Sequence, residues 1–135
     1  MGQRLRLSLF LLRLGVFILM FFWTIDKLLR PDHASAVFQH FYFLPQIGGS
    51  IIMAIGVFEL IVILFFLLGM YKRYSYGFVL IVHTISTLSS YKQYLAPFDK
   101  TNLLFFAAWP MLAACVALFL LRKEDTMFTL KLFSN

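Results

Sequence analysis

The sequence is poor in charge: Asp, Glu, Lys and Arg make up 13% of its 135 residues, about half the share usual in soluble domains. With 61% of the residues hydrophobic, a chain this short has too little polar material to cover its apolar surface, which excludes a water-soluble globular fold. Cysteine is nearly absent. The single Cys115 rules out an intrachain disulfide framework, dithiol exchange and any zinc or iron–sulfur centre built on several thiolates of one chain. It says nothing about redox compartment. Seven Gly and four Pro are too few for a collagen-like repeat, and disorder requires low hydrophobicity. No Walker loop, Rossmann fingerprint, nucleophile elbow, HExxH spacing or glycosidase-like acid pair is found, so catalytic activity is left undecided.

What the chain has instead is long apolar runs, with a mean hydropathy of +0.86. A membrane-crossing helix needs about 20 mostly apolar residues. Four stretches qualify: Ser8 to Leu29, Ser50 to Met70, Tyr74 to Tyr94 and Asn102 to Leu121. Tyr71, Lys72 and Arg73 alone separate the second from the third, which forces an antiparallel pair, and Pro97 stops the third before Asp99 to Asn102 can cap the fourth. Arg4 and Arg6 ahead of an apolar run, with Ala34-Ser35-Ala36 beyond it, imitate a secretory signal. The run is too long for one, and Asp26, Lys27, Arg30 and Asp32 intervene, so the first span is expected to be retained. Between Pro31 and Gly49, the Asp32-His33-Ala34-Ser35 start signal and Pro45 predict a short interfacial helix presenting Phe38, Phe41 and Tyr42.

The expected fold is therefore an all-α integral membrane protein: one domain, residues 1–135, forming a four-transmembrane-helix antiparallel bundle with an interfacial helix between its first two spans. The face holding both termini carries Arg4, Arg6, Lys72, Arg73, Arg122, Lys123 and Lys131, against Lys27, Arg30, Lys92 and Lys100 on the other. This imbalance places both termini in the cytoplasm. The net charge of +6 then reads as topology and headgroup contact; scattered over loops, it forms no nucleic-acid surface.

Ionisable groups at membrane depth cost about 2.5 to 3.5 kcal/mol each and require a partner, an aqueous route or a function. Arg13, one and a half turns into the first span, either snorkels to the inner headgroups or turns into the bundle. Asp26 and Lys27 follow Trp23 at the outer end and diverge around the helix, so each needs another partner. Glu59 and His83 lie 11 and 9 residues from the inner ends of their spans, both roughly 13 to 17 Å above the inner boundary. At matching depth on adjacent helices they are expected to pair. That pair is either a structural bond or a proton relay, quinone contact or ligand site. Outward from His83, Thr87, Ser90, Tyr91 and Tyr94 keep helical spacing, with Ser86, Ser89, Lys92 and Gln93 beside them. These residues either pack helices closely or line a polar crevice with Lys92 and Tyr94 at its mouth. Trp109-Pro110 predicts a kink midway along the fourth span. His33 and His40 are about 10 Å apart along a helix, too far to share an ion, and no metal site is expected.

Arg13-Leu14-Gly15, then Trp23-Thr24-Ile25-Asp26-Lys27, then Pro31-Asp32-His33 and Phe38 resemble the start of the DoxX-like family of small bacterial four-helix membrane proteins. Gly69 with Lys72 after the second span, and Arg122-Lys123 after the fourth, extend the likeness over nearly the whole chain. Thr24 after Trp23 stands where many members have glycine, which suggests a divergent branch. The resemblance implies a bacterial inner membrane and a likeness to the small membrane subunit of a thiosulfate:quinone oxidoreductase, or to membrane partners of redox and detoxification enzymes. It supplies no catalytic residue. Two functions are therefore expected. The first is a redox-associated subunit holding a quinone or similar apolar ligand near His83 and Trp109. The second is a non-catalytic anchor or assembly scaffold whose partner is a membrane or periplasmic protein or another copy of the chain. Small-solute or metal transport is a third possibility, for which four short helices barely enclose a path.

Overall fold

The computed structural model describes residues 2–30 and 49–130, together with Ala36 and Gln39. The interfacial helix expected after Pro31, with His33, Phe38 and His40, lies outside the described residues. Among the described residues there is no strand. The elements are α1 (Gln3–Leu29), α2 (Gly49–Leu68), α3 (Lys72–Ser89), a one-turn helix α4 (Tyr91–Leu95), a 3-10 helix (Asn102–Ala107) and α5 (Ala108–Leu120). Helix α1 packs on α2, α2 on α3, α3 on α5 and α5 back on α1, which closes a ring. Three of the helical rods, residues Gln3–Leu29, Ile51–Leu68 and Asn102–Leu120, are long and apolar enough to cross a membrane. The rod beginning at Lys72 is more polar.

The helices are sorted inside out. Helix α3 buries Lys72, Ser75, Tyr76, Val79, His83 and Thr87, a stripe at three- and four-residue spacing, while Ile81, Ile85 and Leu88 are more than half exposed. In water the assignment would be reversed. The other helices follow the same spacing: α1 turns Leu9, Arg13, Val16, Met20 and Thr24 inward, and α2 turns in Ile52, Glu59, Ile63 and Phe66. Along the ring this yields three levels. Arg13, Lys72 and Tyr76 form a polar layer near the chain's two ends. Val16, Met20, Ile63, Val79 and Cys115 form an apolar layer above it. Thr24, Glu59, His83 and Thr87 form a second polar layer.

Where a kink is expected, at Trp109-Pro110, the helix changes type. The fourth rod runs as 3-10 helix to Ala107 and becomes α-helical from Ala108. Proline has no N–H and its ring excludes the carbonyl four residues back, so it is tolerated in the first turn of a helix, where Pro110 sits.

The tight α2–α3 connection depends on Gly69, at φ +69°. Its N–H donates to the Phe66 carbonyl and that of Met70 to Phe65, the paired reverse bonds that close a helix on a left-handed glycine. The Leu68 carbonyl accepts a hydrogen bond from the Leu130 N–H at 2.8 Å, so the segment after α5 folds back under this turn. A Cβ at Gly69 would meet the Thr129 methyl carbon at 2.5 Å. Gly69→Ala is thus both strained and obstructed and should cost about 2 kcal/mol, read as a lowered unfolding midpoint in detergent. An unchanged midpoint would show that residues 129–130 do not seat on the turn.

Candidate functional site

The buried polar residues form two centres. At the end near both termini, Arg13 and Asp125 are completely buried and joined by a 2.6 Å bond from Nη1 to Oδ1. The Tyr76 hydroxyl donates to Asp125 Oδ2 at 2.5 Å, and Lys72 Nζ donates to the Asp125 carbonyl oxygen at 2.6 Å. Arg13 Nη2 donates to the Met127 carbonyl at 2.5 Å. Burial lowers the Lys72 pKa from its ordinary value, a pull that Asp125 opposes and Arg13 reinforces. Of the alternatives for Arg13, the turn into the bundle is the one adopted. Asp125, absent from the sequence-based candidates, completes the centre together with Tyr76 and Lys72.

The second centre occupies the half of the ring away from Arg13 and Asp125 and splits in two around α1. On one side Lys27 Nζ lies 3.0 Å from Glu59 Oε2, and the Thr24 hydroxyl, which donates to the Met20 carbonyl at 2.8 Å, is 3.3 Å from the same oxygen. Gly56 suits this contact, since a Cβ there would lie 3.0 Å from the Leu28 side chain and 3.3 Å from the Lys27 Cβ, tight enough that α1 would have to give way slightly. Glu59 also reaches a shallow apolar groove of about 530 Å³ lined by Ile51, Ala54, Ile55, Phe58 and Phe78. On the other side His83 Nε2 is 3.0 Å from the Ala108 carbonyl oxygen, and its ring lies 6.2 Å from that of Trp23 at 30°. Tyr94 packs on Trp109 at 5.4 Å and on Phe106 at 5.2 Å.

The expected Glu59–His83 pair is therefore not formed, although the matching depth is: Trp23 meets His83, and Thr24, its neighbour in sequence, meets Glu59. A carboxylate gains more from an ammonium ion than from a neutral imidazole, and Lys27, one turn beyond Thr24, presents that ion on the face turned toward α2. Asp26 bonds Arg30 instead, at 2.6 Å across one helical turn.

The crevice expected along α3 is also corrected. Its hydroxyls are turned back on their own helix: Thr84 donates to Leu80, Thr87 to His83, Ser89 to Ile85 and Ser90 to Ser86. Such back-bonding spends the donors a crevice would need. Tyr91 and Lys92 lie on the exposed side, with Lys92 Nζ 6.0 Å from the Tyr91 ring centre. Of the sequence candidates, the fold brings Tyr94 onto Trp109 and Glu59 onto Lys27, while His83 contacts the Ala108 carbonyl, next in sequence to Trp109. Arg13, Asp26, Tyr91 and Lys92 stand apart from both.

Against protein-family models, characterised proteins and solved structures, the chain finds no match in any of the three comparisons.

Removing one member of a buried ion pair strands the other, which costs about 3–5 kcal/mol, whereas replacing both with apolar residues is much milder. Asp125→Asn should therefore lower detergent stability far more than the joint Arg13→Leu, Asp125→Leu change does relative to its single variants. Equal, additive losses would contradict the contact. The same comparison separates the partners of Glu59. Glu59→Gln should couple to Lys27→Met and be additive with His83→Ala, and the reverse pattern would restore the pairing suggested by depth alone.

Proposed function

We propose that the protein is a small integral membrane subunit of a redox system, similar to the DoxX-like proteins, that holds a quinone or related apolar ring in the outer half of its helical ring. In this reading it crosses a bacterial inner membrane four times with both termini cytoplasmic. The fourth crossing is α3 with α4. Its polar stripe is buried and its Ile and Leu side chains face outward, the arrangement expected when the surroundings are hydrocarbon. The bond between Arg13 and Asp125 brings the two ends of the chain to one side. Arg4, Arg6, Arg73, Arg122 and Lys123 belong to that side, which supports a cytoplasmic placement.

One observation carries the ligand reading: His83 is 1% exposed and its Nδ1 has no hydrogen-bond partner among the described residues, while the Trp23 ring stands 6.2 Å from the imidazole. A buried imidazole with one nitrogen unspent, beside an indole ring, suits a flat ligand carrying a polar edge. The anchor or scaffold reading draws on the other end of the molecule, where the Arg13–Asp125 pair and its hydrogen bonds fix a base bordered by the exposed Arg4, Arg6, Arg73 and Lys123, able to seat an acidic partner surface.

Purification from native membranes in mild detergent, with mass spectrometry of co-purifying proteins and lipids, separates the two. A quinone retained in near-stoichiometric amount supports the ligand reading. Ligand-free protein to which neither added quinone nor added quinol binds rejects it, and a chain that then runs alone as a monomer rejects the scaffold as well.

A further inference from the structure

We infer that the site at His83 selects the hydroxyl-bearing ring: it binds hydroquinones and other membrane-soluble phenols in preference to quinones. This rests on the reading of His83 as a ring-binding residue and adds the redox form of the ligand. A carbonyl oxygen can only accept, so the 3.0 Å contact between His83 Nε2 and the Ala108 oxygen puts the imidazole hydrogen on Nε2. Nδ1 of the neutral ring then holds a lone pair. That atom is buried and has no partner among the described residues. The hydroxyl one turn further along, Thr87, has given its hydrogen to the His83 carbonyl at 2.7 Å, and Ser90 has given its own to Ser86. The hydroxyls along this face are spent. A second hydrogen on Nδ1 would leave an uncompensated charge among buried side chains, which low-polarity surroundings oppose.

The group that satisfies Nδ1 must therefore be a donor brought by the ligand. A quinone carbonyl offers another lone pair and faces His83 unfavourably, whereas a hydroquinone or phenol offers an O–H. The aromatic neighbours fit the same ligand. The Trp23 and His83 rings are tilted by 30° and 6.2 Å apart, wider than direct stacking. Trp23 and Trp109 are 41% and 44% exposed, which puts both indoles at the boundary a membrane-dissolved ring would cross.

The test is equilibrium binding of decylubiquinol and decylubiquinone to the purified full chain in detergent under anaerobic conditions, followed by quenching of its two tryptophans and checked by equilibrium dialysis. The quinol should bind about tenfold more tightly, the effect of one buried hydrogen bond gained against one acceptor left facing another. His83→Phe, which keeps a ring and removes the acceptor, should bring the two affinities together by weakening the quinol. Because that variant can fail to fold, the intact protein labelled with nitrogen-15 histidine supplies a second readout. The Nδ1 resonance of the buried imidazole should shift on adding quinol and stay in place on adding quinone. Equal binding of both forms by the intact chain overturns the selectivity and leaves the ring-holding reading standing. A preference that survives in folded His83→Phe removes His83 from it. Binding of neither form overturns both.

Discussion

The structure depends on placing a guanidinium and a carboxylate where water does not reach. Arg13 and Asp125 are separated by almost the whole chain and are both completely buried. Isolated, either would be prohibitively costly; together they are tolerable only if the remaining donors and lone pairs are also satisfied. The Tyr76 hydroxyl, the Lys72 ammonium and the carbonyls beyond Asp125 supply those bonds. As a result α1, α3 and the segment after α5 are tied at one level, and the Leu130 N–H bond to Leu68 adds α2. A network of this kind has little tolerance for sliding, because a slip by one residue would leave several buried groups unpaired at once. The register of α3 is fixed from its first turn, and the height of His83, two turns beyond Tyr76, is fixed with it.

Between the two polar layers stands an apolar one formed by Val16, Met20, Ile63, Val79 and Cys115. Its side chains neither donate nor accept in any way that would carry a proton, so the Arg13 centre and the His83 and Glu59 groups are chemically separate. This gives the two ends different characters. One end is saturated: among its buried side-chain atoms only Arg13 Nε has no partner. At the other, His83 Nδ1, Gln93 Oε1 and the Tyr94 hydroxyl are all unspent. A continuous route for a solute or ion would have to break the apolar layer, which argues for a ligand held on one side of it over transport through it.

Three of the four expected spans were legible because crossing a bilayer demands a long run of apolar residues and little else, whereas the expected span from Tyr74 to Tyr94 is helical but more polar and divides after Ser89. The depth of Glu59 and His83 was legible for the same reason, since rise per residue is fixed. Their partners were not, because depth leaves rotation around the helix open, and rotation decides that Thr24 and Lys27 of α1 come between the two. Asp125 was hidden by its setting. Arg122-Lys123-Glu124-Asp125 reads as a solvated tail, and only the fold-back under Gly69 makes it an interior residue. One signal was available: with six acidic residues in the chain and only Glu124 and Asp125 near the end where Arg13 lies, a buried arginine had few candidates for a counter-ion. The hydroxyls of α3 misled for the opposite reason. Serine and threonine spacing marks a polar face, but the carbonyl four residues back competes for each hydroxyl and wins.

These pairings follow one order of preference, and that order creates the site. Charges are satisfied first because leaving them alone costs most: Asp125 takes Arg13, Glu59 takes Lys27, and Asp26 takes Arg30. Hydroxyls come next and need only a backbone carbonyl from their own helix, which is always within reach. The imidazole is left until last. With Glu59 committed to an ammonium ion and Thr87 to a carbonyl, His83 finds Ala108 for one nitrogen and nothing for the other. Had Lys27 been apolar, Glu59 would have kept only the Thr24 hydroxyl, because Trp23 and Thr24 of α1 would still stand between it and His83. The rotation of α1, which turns one neighbour toward each of them, thus decides that Glu59 and His83 take separate partners at the depth they share.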